Sequence, residues 1–322
     1  MMRVGWNRIF LLLLASFISA PCAGALAQKA TTRNDGGGGR RGGVRSMTIP
    51  VTIKLPEKRQ EEGELQYLEN FTIFEDNEQQ EVLAARGAPT YPLTLIVLVQ
   101  DDLDPTVGTE IAKLARFIRN LPQGSRVMVG YLRAGSLQVR QKFTSDLERA
   151  AKQLRVPTGS AALAPFNPFA LTRDAVKKFE SQPVGRRAVL LISDGLDVSR
   201  GAENSTPTQS FDLQRSIDEA QRRGAAVYSI YAPTNGGRSR TLAGNGQSSL
   251  ERLSEETGGR AFIQTVSAPV VLEPHLREIE KLLSTQFALT YLSTHSNKGF
   301  HRIRIITDLE GGEVRYPPGY TR

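Results

Sequence analysis

One apolar stretch orders the pattern along this chain. Leu93-Thr-Leu-Ile-Val-Leu-Val99 has no polar alternation and runs straight into Gln100-Asp101-Asp102-Leu103-Asp104-Pro105-Thr106. A run of this length, rich in β-branched residues, predicts a strand buried on both faces, as at the centre of a parallel sheet covered by helices. Its three carboxylates then fall just past the carboxyl end of the strand, where open α/β sheets usually bind ligands. A second run of the same kind, Ala188-Val-Leu-Leu-Ile192, ends in Ser193-Asp194-Gly195-Leu196-Asp197.

Between and after these strands the period changes to that of helices. Ile111, Leu114, Ala115, Ile118 and Leu121 share one helical face, closed by Pro122-Gln-Gly124. Strand Arg126–Leu132 and the alternating Leu137–Phe143 predict an antiparallel edge hairpin. Helices are predicted from Ser145 to about Leu154, over about 171–180 and 211–223, at 248–257 behind a Gly/Asn/Ser-rich loop (234–247), and at 273–285, with strands at 226–231 and 261–263. Strands alternating with helices predict a doubly wound, mostly parallel sheet. Both flanks instead read as strands and turns: Thr48–Leu55, Phe71–Phe74 and Gln80–Leu83 before the body, and Phe287–Leu292, Phe300–Ile306 and Val314–Tyr316 after it. Neither flank is large enough to be stable alone. The simplest arrangement pairs 48–88 with 286–322 in a small β-subdomain beside an α/β body at 89–285.

Composition changes this picture mainly at the N-terminus. Arg3 and Arg8, the apolar Ile9–Ala20 and the small-x-small site Ala25-Leu26-Ala27 read as a secretory signal peptide over residues 1–27. The apolar part is shorter than the roughly 20 residues a spanning anchor needs. Cleavage there would remove Cys22, the only cysteine, leaving a fold without disulfides or thiolate metal sites. Exported, periplasmic or extracellular residence follows as an expectation, with no membrane span after cleavage. Residues 28–47, Gly- and Arg-rich, read as a flexible linker. The formal net charge of +8 is concentrated in these parts: two charges sit on Arg3 and Arg8, and residues 28–47 carry five cations against Asp35. The body from Thr48 onward keeps only two, which argues against nucleic acid as a partner.

The order of these motifs resembles the von Willebrand factor type A (VWA) domain, and most closely the VWA-related form of exported acidobacterial proteins. The resemblance rests on the buried strand ending in acid, the amphipathic helix, the edge hairpin and the strand ending in Ser193-Asp194-Gly195. Phe71-Thr-Ile-Phe-Glu-Asp76, Phe143-Thr-Ser-Asp146 and the closing Gly319-Tyr320 extend it over roughly residues 48–320. It implies a divalent-cation site at the sheet's C-terminal edge, built from Asp-x-Ser-x-Ser, a loop Thr and a later Asp. Carried over, Asp101 matches the first Asp and Asp194 the last, while Leu103 and Pro105 stand at the two Ser positions. Shifting by one gives Asp102-x-Asp104-x-Thr106, and the loop Thr could be Thr158, Ser160 or Thr172.

The resulting expectation is a degenerate metal site, with Asp101, Asp104 and Asp194 as the residues that would hold Mg²⁺ or Mn²⁺ were it kept. The same acids have structural roles open to them, capping the next helix or shaping a turn. The three histidines, His275, His295 and His301, form no ligand spacing, and no serine lies in a nucleophile elbow. The function expected is a non-catalytic, protein-binding module that recognises a protein or envelope component through loops at the sheet's C-terminal edge. The alternatives are a Mg²⁺- or Mn²⁺-dependent adhesion domain, a hydrolase using Asp101, Asp104 and Asp194, and a scaffold that binds through its β-subdomain.

Overall fold

The computed structural model describes residues 44–55, 71–88, 90–263, 270–307 and 311–322. The leader, residues 28–43 of the linker and the charged turn at 57–63 lie outside the described residues. Two sheets make up the rest. The first has six strands: β4 (Thr94–Gln100), β5 (Arg126–Arg133), β6 (Ser136–Thr144), β7 (Arg187–Ser193), β8 (Ala225–Tyr231) and β9 (Arg260–Phe262). Their spatial order is β6-β5-β4-β7-β8-β9, parallel throughout except for the antiparallel edge strand β6.

All seven residues of β4 are buried, and because alternate side chains enter cores on both faces, Leu95 to Val99 are all apolar. Leu95, Val97 and Val99 face a cluster with Ile111, Leu114 and Ile118 of α1 (Val107–Arg119) and Leu276, Ile279 and Leu283 of α6 (Glu273–Ser284). The short α2 (Leu147–Lys152) adds Ala150 and Ala151 on that side. Ile96 and Leu98 face the opposite cluster, with Phe169 and Val176 of α3 (Pro168–Val176), Leu213 and Ile217 of α4 (Phe211–Arg222), and Leu250 and Leu253 of α5 (Arg240–Glu256). Helices on both faces make this a doubly wound α/β sheet.

The second sheet is antiparallel and contains strands from both flanks: β1 (Arg45–Lys54), β2 (Thr72–Glu75), β3 (Glu78–Gly87), β10 (Gln286–Ser293), β11 (Phe300–Ile306), β12 (Glu313–Arg315) and β13 (Gly319–Thr321). The order is β12-β1-β10-β3-β2-β11-β13. Asp76 and Asn77 both take positive φ, +50° and +69°, as the tight hairpin joining β2 to β3 requires. Arg186, buried at the entry to β7, donates to the carbonyls of Gln286 (2.8 Å), Tyr91 (3.0 Å) and Leu283, and so ties the α/β body to the start of β10.

Two helices begin three or more residues before the sequence predicts. The helix expected at 248–257 begins at Arg240, capped by Ser239 (Leu242 N–H to Oγ, 3.3 Å), so the second half of the expected loop is helical. The reason is close packing: a Cβ at Gly246 would stand 2.1 Å from the Asp194 carbonyl oxygen. The glycine that looks like a turn signal is there to let α5 approach the turn after β7. Similarly, α3 starts at Pro168 behind Asn167, whose Oδ1 accepts from Ala170 N–H (3.0 Å), and it tightens into a 3-10 turn over Lys177–Ser181.

Candidate functional site

Strands β4 and β7 are neighbours in register, Val99 opposite Ile192, so the two acid-bearing turns emerge side by side. Gln100, 1% exposed, joins them. Its Oε1 accepts from Ser193 Oγ and from Asp194 N–H (3.2 Å), and its Nε2 donates to Asp102 Oδ1 (2.9 Å). The acidic turn is also held to the loop after β8: Asn235 N–H donates to the Asp102 carbonyl (3.0 Å) and Asp104 N–H to that of Pro233 (2.9 Å). Leu103 is fully buried and bridges Thr234.

The five acids of these turns separate into different roles. Asp101, with no exposed surface, is surrounded by cations: Arg155 Nη1 to Oδ1 at 2.6 Å, Arg155 Nη2 to Oδ2 at 2.9 Å, and Arg133 Nη1 to Oδ2 at 3.1 Å. The Thr158 N–H also donates to Oδ1 (3.2 Å), while Thr158 Oγ1 donates to the Asp101 carbonyl (3.1 Å). Arg155 is itself positioned by the Tyr131 ring, whose centroid lies 4.2 Å from the guanidinium carbon. Asp104 Oδ1 accepts from Thr106 N–H (2.9 Å) and Oγ1 (2.7 Å), shaping the turn into α1.

Asp102 and Asp194 are each 2% exposed and within electrostatic reach of one another. Burial raises the Asp102 carboxyl above the usual range and the Asp194 charge raises it further, against the Gln100 hydrogen bond. Burial raises Asp194 as well, opposed chiefly by Arg238, whose Nη2 lies 3.3 Å from Oδ2. Burial, and then the Asp194 charge, push the Tyr231 phenol up to about 12. Asp197 braces the next loop by accepting from Ser199 Oγ (2.6 Å) and from Ser210 Oγ (2.6 Å) at the start of α4.

Because the folded Asp102 binds its proton more tightly than the unfolded chain does, its contribution to stability falls as pH rises from the ordinary carboxylate value through the folded one. Asp102→Asn keeps an acceptor for Gln100 and removes the charge. It is expected to stabilise the protein at pH 7 by on the order of 1 kcal/mol. Urea unfolding should show that gain at pH 7 and lose it near pH 3 (about the range where free carboxyls protonate).

The residues present do not fit the hydrated divalent ion that the resemblance implies. Mg²⁺ prefers about six oxygens. Here Leu103 belongs to the core, Pro105 offers no side-chain oxygen, both Asp101 oxygens are taken by guanidinium groups, and Asp104 is engaged in its own turn. Of the three loop candidates, Thr158 lies against Asp101, Thr172 is buried in α3 with its hydroxyl on the Pro168 carbonyl (2.8 Å), and Ser160 precedes a 3-10 turn. His275 lies on α6 with its ring 5.3 Å from that of Phe262, while His301 in the second sheet has Nδ1 2.8 Å from Asp76 Oδ2. Among the described residues no three His, Cys, Asp or Glu side chains are placed to hold a metal ion.

Sequence reasoning missed the cations. Arg133, Arg155 and Arg238 come from a hairpin, a loop and a Gly-rich segment whose local pattern marks none of them. It also missed Phe166. This aromatic residue adopts φ +59° while 55% exposed, and its carbonyl accepts from Val198 N–H (2.9 Å) in the loop after β7. A left-handed backbone costs a bulky L-residue about 1–2 kcal/mol. Asn167 holds it there, with Nδ2 donating to Asp212 Oδ2 (2.8 Å) and to Ser199 Oγ (3.3 Å). Asp212 follows Phe211, which is 60% exposed and has Arg200 4.7 Å over its ring.

No family model and no curated protein matches the chain. Among solved structures, it is similar to the conserved hypothetical protein BatB from Bacteroides thetaiotaomicron at 16% identity and TM-score 0.42, over 60% of this chain and 97% of that one. It is similar to an aerotolerance-related membrane protein from Bacteroides fragilis NCTC 9343 at 16% identity and TM-score 0.40, over 60% and 98%. It is also similar to the SpRpn10 VWA domain at 11% identity and TM-score 0.40, over 58% and 95%.

Proposed function

We propose that this protein is an exported, non-catalytic, VWA-like binding module that docks a protein or cell-envelope component on the rim formed by the loops after β4, β7 and β8 together with the loop at 156–170. The observation that carries the reading is Phe166: a strained, exposed aromatic side chain held in place by hydrogen bonds from two other elements. Backbone strain of this kind persists where the surroundings impose it and collects at functional sites. Exposed aromatic and arginine side chains are the residues that anchor interfaces most often, and Phe166, Phe211 and Arg200 supply both.

Rigid support fits recognition rather than turnover. The acids behind the rim are engaged by guanidinium, amide and hydroxyl donors, which leaves none poised as a base or nucleophile in this reading. No divalent cation takes part in it. The leader-like N-terminus supports export to the periplasm or outside the cell, and the nearly neutral body disfavours nucleic acid. No helix among the described residues is long and apolar enough to cross a membrane.

The test is photo-cross-linking in envelope extract, with p-benzoylphenylalanine placed at 166 or, as a control, at Leu83 in the second sheet. The reading expects one discrete adduct from position 166 only, weakened on the order of tenfold by Phe211→Ala with Arg200→Ala. Equal adducts from 83, or capture indifferent to those substitutions, would overturn it.

A further inference from the structure

The outer edge of β6 offers a second surface, away from the rim. β6 is nine residues long, pairs only with β5, and among the described residues no strand lies against its other side. Beside it runs a cavity of about 580 Å³ lined by Met128, Val139, Phe143, Lys142, Lys177 and Lys178. A second cavity of about 670 Å³, lined by Ser136 and Leu137 at the start of the strand and by Leu171 of α3, shares Lys177 and Lys178 with the first. The two therefore form one groove along the strand, between β6 and the turn at 177–181.

The charge in this groove is uncompensated in one direction. Asp174 is answered by Lys177 (3.0 Å) and Glu180 by Arg223 (3.2 Å). Lys142 and Lys178 have no carboxylate partner among the described residues, while Arg140, also exposed on β6, lines neither cavity. An unpaired row of backbone N–H and C=O groups next to half-buried apolar side chains and free ammonium groups matches an extended segment that presents both apolar and acidic side chains to the groove. A second copy of β6 would bring Arg140 and Lys142 beside the same cations of its partner, and the basic residues 28–43 carry the wrong sign.

We infer that the β6 edge and its lysine-lined groove receive an extended acidic segment of a partner protein as an added strand. Backbone bonds supply the register, and of the partner's groove-facing side chains, which fall at every second residue, the apolar ones meet Leu137, Val139 and Phe143 and the acidic ones Lys142 and Lys178. The competing role for these cations is to guard the edge against any strand at all.

The experiment uses the full chain and a fluorescent nine-residue peptide with Glu and Val taking turns at every second position and Thr between them, followed by anisotropy and by amide exchange across 136–144. Saturable binding is expected, with β6 amides newly protected. Lys142→Glu with Lys178→Glu should weaken it on the order of tenfold or more, as charge reversal at exposed positions leaves the fold intact. N-methylating alternate peptide residues should abolish binding in one of the two registers and spare it in the other. No binding, binding that survives the charge reversal, or equal tolerance of both methylated registers would overturn the inference. The edge would then be guarded rather than used.

Discussion

Asp101→Ala is expected to destabilise the protein by about 3 kcal/mol, the low end of what removing one partner from a buried ion pair costs. The low end applies because Arg155 and Arg133 are 27% and 31% exposed and can turn partly to water, whereas Asp101 cannot. The loss has two parts: two guanidinium groups lose their carboxylate, and the Thr158 N–H loses its acceptor. Asp101→Asn retains an acceptor oxygen and should fall between wild type and alanine. Urea unfolding at pH 7 measures both. A cost below about 1 kcal/mol for alanine, the range of an exposed pair, would mean that the pair is not buried in solution.

The second large effect comes from one methyl group. Gly246→Ala places a Cβ against the Asp194 carbonyl at 2.1 Å, backbone against backbone, so either α5 or the turn after β7 must move. A loss of at least about 3 kcal/mol is expected, at or beyond the upper end of ordinary overpacking. Gly244→Ala, two residues earlier in the same helix, meets nothing within 4 Å. It should instead stabilise the protein by about 0.5–1 kcal/mol, the usual gain from replacing a helix-interior glycine. Thermal unfolding of the pair separates close approach from mere helix propensity, since propensity alone would raise both melting temperatures.

What could be read from sequence was whatever depends on local periodicity. The runs at 93–99 and 188–192 announced buried parallel strands, and the alternation at 137–143 announced the edge hairpin, because side-chain period follows directly from which faces are covered. The start of α5 escaped for a definite reason: Gly244 and Gly246 look like loop residues until the neighbour that Gly246 admits is known. The site divided along the same line. Asp101, Asp102 and Asp194 stand at strand ends and were visible there. Their partners Arg155 and Arg238 lie 54 and 44 residues away in sequence, and nothing local marks an arginine as belonging to a distant carboxylate. Phe166 carried no signal either, since a left-handed backbone at a phenylalanine runs against its propensity.

These observations share one physical idea. At the edge where the resemblance places a divalent ion, guanidinium groups contact Asp101 and Asp194, and the rim proposed above needs no cation. Isothermal titration of the full chain with Mn²⁺, repeated on Asp194→Ala, tests this most directly, with the melting temperature followed in the same samples. No heat and no shift in melting temperature up to millimolar metal is the result predicted for both proteins. A saturable heat and a raised melting temperature in the wild type, both lost in Asp194→Ala, would contradict it.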